Sequence, residues 1–421
     1  MRHFVRTFSA VLFLVTAMLL ADLTAWPSAS TAGIAPESGQ RLAALFQPGN
    51  ASQAGRRYGL VILNEWNHEW IPLLKAADPS VRVLLYKNTF FLRGDDNAST
   101  VGGFGAGESI DTRHPDWFLK DGSGQRIVFQ YYEEVDFYAM DWGHPEWREY
   151  WADRAVRRAT ALGFDGLFLD DLYTRSWGTI SGPLDRYVDD LQLQSAVRGF
   201  LATVHARVKA RDPDLLVVGN VVDHLEAPDL FEDWLTISDG LMDEQFVHTG
   251  AHSESGFKSL GDKWEQQLAQ VETAERMGKA AVFVSHGAAG DSETMLFTYA
   301  TYMLAADGAS YYSHVHDGSM DDPTWYGVWG RDLGAALGPY RVTPEGVYTR
   351  AFSKGMVAVN PRSTGELTLE VRGYRDSHGA AVRTITLGPH SAAILHRRVD
   401  ARRLIFETVP AAGWPRRQVP R

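Results

Sequence analysis

A chain of 421 residues with 45% hydrophobic content can bury a large core and is long for one domain, so a barrel with an accessory module is the expected organisation. A net charge of −11, with no run of Lys and Arg interleaved with aromatics, excludes a surface built to grip nucleic acid. The absence of cysteine excludes disulfides, thiolate metal sites, a cysteine nucleophile and a lipid-bearing cysteine.

At the N-terminus Arg2, His3 and Arg6 precede an apolar stretch over 8–20, and small polar residues follow through Ala32. This layout predicts a signal peptide over 1–32 and a secreted or periplasmic protein. The apolar core is shorter than the roughly 20 residues a span needs, so no stable membrane span is expected after cleavage; an uncleaved anchor is the alternative. Residues 33–57 read as a linker.

From 58 to 340 short β-type runs alternate with helical patterns, as in parallel βαβ units. Candidate strands are 60–63, 81–86, 137–140, 166–170, 215–218, 241–243, 281–285 and 309–312, the third following a glycine-bearing insertion over 92–134. Pro145 opens a helix, and further helices are expected near 186–209, 260–277 and 291–305. Eight alternations predict an α/β fold, a (β/α)8 TIM barrel, and no glycine-rich phosphate loop follows the first strand. Alternating segments over 341–400 predict a small antiparallel β-sandwich, and 401–421 a loose tail.

Two strands echo one another. Asp165-Gly166-Leu167-Phe168-Leu169-Asp170 and Asp239-Gly240-Leu241-Met242-Asp243-Glu244 each run from Asp-Gly-Leu to a terminal carboxylate. Side chains alternate along a strand, so Asp170 shares a face with Phe168, and Glu244 with Met242. If that face is the barrel interior, both acids meet at the C-terminal mouth, where barrel active sites lie. Such a pair suits glycosidic bond cleavage, with Asp170 as nucleophile or water-activating base and Glu244, beside Met242 and Phe246, as proton donor. Asp171 is the reserve candidate, with Asp243 treated likewise, whereas Asp165 and Asp239 at strand beginnings read as structural. Glu65, Trp66, Lys87, Asn88, Asp141, Trp142, Asn220 and His286 follow other strands and are candidates for binding sugar. The 13 Trp and 16 Tyr supply rings that stack on sugars, although large cores use the same residues. His314, His316 and Asp317, joined by His286, form the competing zinc reading. A Ser-His-Asp hydrolase is weaker, because Ser285-His286 lies outside any Gly-x-Ser-x-Gly turn.

The stretch 163–172, with Met140-Asp141 before Pro145-Glu146-Trp147, resembles the hypothetical glycosyl hydrolase TIM-barrel family, glycosyl hydrolase-like family 15, related to glycoside hydrolase family 114. The segment 239–246 looks like the strand that supplies the second acid, and 348–361 like the opening of a trailing β domain. Family 114 enzymes cleave α-1,4-linked polygalactosamine. The resemblance spans about 58–400 and implies an aspartate after strand four and a glutamate after strand six, matching Asp170 and Glu244; the insertion over 92–134 departs from the compact family pattern. The expectation is an exported glycoside hydrolase of a poly- or oligosaccharide that needs no cofactor and no metal. Its rivals are a non-catalytic carbohydrate-binding barrel and a metal-dependent amino-sugar deacetylase.

Overall fold

The computed structural model describes residues 41–397 apart from 47–48, 94–109, 131–135, 177–179, 181, 223, 250–255 and 317–323. The expected signal peptide, the tail over 401–421, Gly102, Gly103, Gly105 and Gly107 of the insertion, and Asp317 therefore lie outside the described residues. Among the described residues no helix is long and apolar enough to cross a membrane.

Eight parallel strands form one sheet in chain order: β1 (Ala43–Leu45), β2 (Leu60–Leu63), β3 (Arg82–Asn88), β4 (Gly166–Tyr173), β5 (Leu216–Val222), β6 (Gly240–Asp243), β7 (Val282–Gly287) and β8 (Tyr311–His316). A parallel bridge between Leu42 and Tyr312, with the Tyr312 amide 2.9 Å from the Arg41 carbonyl, joins β8 back to β1 and closes the barrel. Helices α1 (Ala51–Arg57), α2 (Trp70–Ala77), α3 (Pro145–Leu162), α4 (Asp190–Arg211), α5 (Pro228–Leu235), α6 (Trp264–Met277) and α7 (Ser292–Ala305) wrap the outside. In α3, Pro145 sits in the first turn, where its missing N–H costs nothing, and Gly163 ends the helix at φ +82°. Trp147, Trp151, Ala155 and Ala159 between them recur every four residues and bury one stripe against the sheet.

Two strand assignments from sequence are corrected. The stretch read as a linker supplies the first barrel strand at Ala43–Leu45, followed by α1. The segment over 137–140, read as barrel strand three, instead supplies Phe137–Ala139, the centre of a three-stranded antiparallel sheet with Phe91–Arg93 and Val128–Phe129. Phe90, Phe91, Phe129 and Phe137 pack ring against ring there, so its apolar content serves a separate aromatic cluster rather than the barrel. The two errors cancel, and Asp170 still lies on the fourth strand.

Leu60, Ile62, Leu84, Tyr86, Phe168, Val218, Met242, Val282 and Val284 cluster with Ala43, Leu45, Tyr311 and Val315. These are every second residue of the eight strands, and they fill the barrel interior. The lower ends of two strands are clamped alike. Asp165 accepts the Val83 amide at 2.8 Å and pairs with Lys75 at 2.7 Å, while Asp239 accepts the Val217 amide at 2.8 Å and pairs with Lys209 at 2.9 Å. The glycine after each aspartate permits close approach of the next strand. A Cβ on Gly166 would lie 2.1 Å from the Leu216 carbonyl oxygen, and one on Gly240 2.3 Å from that of Ala280.

The C-terminal segments, β9 (Arg341–Val342), β10 (Tyr348–Ala351), β11 (Gly355–Asn360), β12 (Leu367–Arg375), β13 (Ala381–Leu387) and β14 (Ser391–Arg397), are hydrogen-bonded as one antiparallel sheet, in the order β9-β10-β11-β14-β12-β13. Val347, Ala358, Leu367 and Leu387 bring its two halves together in a small core of its own. Arg350 docks this sheet on the barrel. Its buried guanidinium donates to the carbonyls of Met303 at 3.1 Å, Ala306 at 2.6 Å and Gly338 at 3.0 Å, capping the negative end of α7.

Candidate active site

The interior alternation continues to the upper ends of the strands. Asn88 on β3, Asp170 on β4, Asn220 on β5 and Glu244 just after β6 are the next interior positions beyond Tyr86, Phe168, Val218 and Met242. One amide joins them. Asn220 Nδ2 donates to Asp170 Oδ1 at 2.9 Å and to Glu244 Oε2 at 2.7 Å, so those two oxygens lie no more than about 5.6 Å apart. Tyr86 donates its hydroxyl to Asp170 Oδ2, and the Asp171 amide donates to Asp170 Oδ1 at 2.9 Å.

Asp171 enters the same cluster. Simple alternation sends it to the helix layer, but the β4–β5 register shifts between Leu169 and Leu172, and Asp171 adopts φ +60°. That bulge turns its carboxyl to Asn88, whose Nδ2 donates to Asp171 Oδ2 at 2.6 Å. Burial and three neighbouring acids then govern protonation. Burial, followed by the charges of Asp170, Asp171 and Asp243, holds Glu244 well above the usual carboxylate range, against the pull of the Asn220 bond. Burial and the Asp170 charge do the same to Asp171. Asp170 is also raised by burial, while bonds from Tyr86, Asn220 and the Asp171 amide all pull its pKa down. The arrangement favours an ionised Asp170 beside a protonated Glu244.

The other residues expected at the mouth divide into groups. His286 donates from Nε2 to the Glu244 carbonyl at 2.7 Å and so braces the acid's backbone. Trp66 is 43% exposed after β2 and offers an open ring. Lys87 faces outward from β3 and pairs at 3.1 Å with Glu65, which Arg158 also grips at 2.7 Å; both Lys87 and Glu65 are buried. Asp141 is buried, accepting the Gly143 amide at 2.8 Å and pairing with Arg186 at 2.9 Å. Trp142, expected to stack on sugar, is 0% exposed and stacks on Phe90 at 5.3 Å. Its indole donates at 3.2 Å to Thr89 Oγ1, which donates at 2.7 Å to the Asp170 carbonyl. Glu65, Lys87, Asp141 and Trp142 thus belong to the supporting shell rather than to an open sugar site.

Among the described residues, no three His, Asp or Glu side chains gather to hold a metal ion. His314 bonds Ser285 Oγ at 2.8 Å, and burial pulls its imidazole down to about 3. Ser285 itself is buried with Thr298 and Tyr312, away from the mouth. Sequence reasoning missed Tyr86 and Thr89. Tyr86 was accessible by parity, since it lies two residues before Asn88 on the interior face of β3.

A closed barrel with paired acids at its mouth is the architecture of many sugar-cleaving enzymes. The chain belongs to hypothetical glycosyl hydrolase family 15, whose profile matches residues 75–356, about two-thirds of it. No curated protein matches the sequence. Among solved structures, the glycoside hydrolase domain of PelA from Pseudomonas aeruginosa is similar at 16% identity and a TM-score of 0.44, over 66% of this chain and 96% of that one. An α-amylase from Anoxybacillus is similar at 12% identity and a TM-score of 0.49, over 86% of this chain and 99% of that one.

Proposed function

We propose that the protein is an exported glycoside hydrolase that cleaves a poly- or oligosaccharide with retention of configuration. The observation that carries this reading is the shared Asn220 amide, which keeps the nearest oxygens of Asp170 and Glu244 within about 5.6 Å. Retaining enzymes hold their carboxyl groups about 5 Å apart, whereas inverting ones leave room for a water between them. Asp170 attacks the anomeric carbon as the bond to the leaving oxygen breaks, and Glu244 gives that oxygen its proton. The resulting glycosyl ester on Asp170 is cleaved by water, whose proton returns to Glu244. Export rests on the leader over 1–32, and no cofactor enters these steps.

A reducing-end assay across neutral and amino-sugar polysaccharides, including the α-1,4-linked polygalactosamine implied by the family 114 resemblance, tests the activity. NMR of the first-formed product tests the stereochemistry. Binding without cleavage across the panel would favour the sugar-binding barrel, an inverted product would refute the nucleophile, and chelator-sensitive release of acetate without new reducing ends would favour the deacetylase.

A further inference from the structure

Glu244 does not sit on a strand. β6 ends at Asp243, and the chain then turns through Gln245 and Phe246 to Val247, a buried β-branched residue at φ +63°. L-residues of that shape avoid the left-handed region, so the turn persists only where its surroundings impose it. One side chain from the helix layer does so at three points. Gln267, on α6 and 0% exposed, donates from Nε2 to Asp243 Oδ2 at 2.7 Å and to the Gln245 carbonyl at 3.0 Å. Its Oε1 accepts the Val247 amide at 2.8 Å. These bonds bracket Glu244 on both sides, and Asp243 Oδ1 closes the inner turn by accepting the Gln245 amide at 3.0 Å.

We infer that Gln267 is a positioning residue for the proton donor: it fixes the turn from Asp243 to Val247 and so aims the Glu244 carboxyl at the leaving oxygen. This inference rests on the hydrolase reading above. All three bonds fall on the turn that carries the acid, while Asp170 is held by β4, Tyr86 and Thr89, so the loss of Gln267 weakens protonation of the leaving group more than nucleophilic attack.

Gln267→Met keeps the volume and removes all three bonds; Gln267→Glu keeps the acceptor for Val247 and removes both donors. Each folded variant, checked by circular dichroism, is compared with wild type on a polysaccharide that the wild type cleaves and on the 2,4-dinitrophenyl glycoside of the same sugar. That leaving group departs without a proton. On the polysaccharide, kcat is expected to fall about 10- to 100-fold with KM within about twofold. On the dinitrophenyl glycoside the loss in kcat/KM, which reports only the formation of the glycosyl ester, is expected to shrink below about threefold. Equal losses on both substrates, or none on either, overturn the inference, and if the Met variant does not fold the Glu variant decides alone. A wild type that cleaves nothing refutes the hydrolase reading itself, whereas loss of activity in Glu244→Gln with full activity in both Gln267 variants refutes only the role of Gln267.

Discussion

Asp170 and Asp171 are consecutive residues, yet both present their carboxyl groups to the barrel mouth, because Asp171 adopts φ +60° at a bulge in β4. Two acids forced together in a buried place repel once ionised, and the fold bears that cost. A folded pKa raised above the unfolded one contributes stability below about pH 4, where the group is protonated in both states; that contribution is lost as pH rises through the folded value. Asp171→Asn removes the repulsion and keeps a partner for Asn88. The variant should melt with the wild type near pH 4 and a few degrees above it at neutral pH. A melting difference independent of pH would refute this account.

The same cluster sets the pH range of catalysis. Asp170 must lose its proton and Glu244 must keep one, so kcat/KM should follow a bell whose alkaline limb belongs to Glu244. Because the Asp171 charge helps to raise Glu244, Asp171→Asn should move the alkaline limb towards lower pH. An alkaline limb that stays in place would assign it to another group.

Replacing the two acids should have separable effects. Asp170→Asn should abolish hydrolysis while calorimetry still detects glycan binding. Glu244→Gln should lower polysaccharide hydrolysis about 10²- to 10⁴-fold. A Glu244→Gln enzyme with near-normal turnover would mean that the proton comes from elsewhere.

Lys87 makes a different prediction. Its side chain is 1% exposed and pairs with Glu65, whose side chain is 6% exposed, so Lys87→Ala strands a buried charge beside the more open Arg158. Such a break typically costs about 3–5 kcal/mol of stability. Denaturant unfolding should register that loss while KM of the surviving folded enzyme stays near wild type. A raised KM at unchanged stability would return Lys87 to the sugar site.

Much of this architecture is legible in the residues. The apolar strands, the Asp-Gly-Leu echo and the alternation that turns Asp170 and Glu244 inward follow from a period of two, and the structure places both acids where that period puts them. Ala43–Leu45 is illegible because three small or flexible apolar residues carry no period at all. Phe137–Ala139 misleads because a buried antiparallel strand and a barrel strand look alike when both faces are covered. Trp142 misleads for a related reason: position after a strand does not reveal whether a ring faces a cleft or lies beneath it. Asp171 and Gln267 owe their roles to a bulge and to a helix side chain crossing a turn, and neither leaves a local pattern.

The paired floor clamps at Asp165 and Asp239 bear on how this barrel can vary. From each clamp it is five residues up to an acid, Asp170 in one stave and Glu244 in the other, so the two reach a common height by equal tread. Loops above the rim can lengthen freely without disturbing that level. A single residue inserted into either stave would swivel one acid out of the lumen and leave the other unanswered.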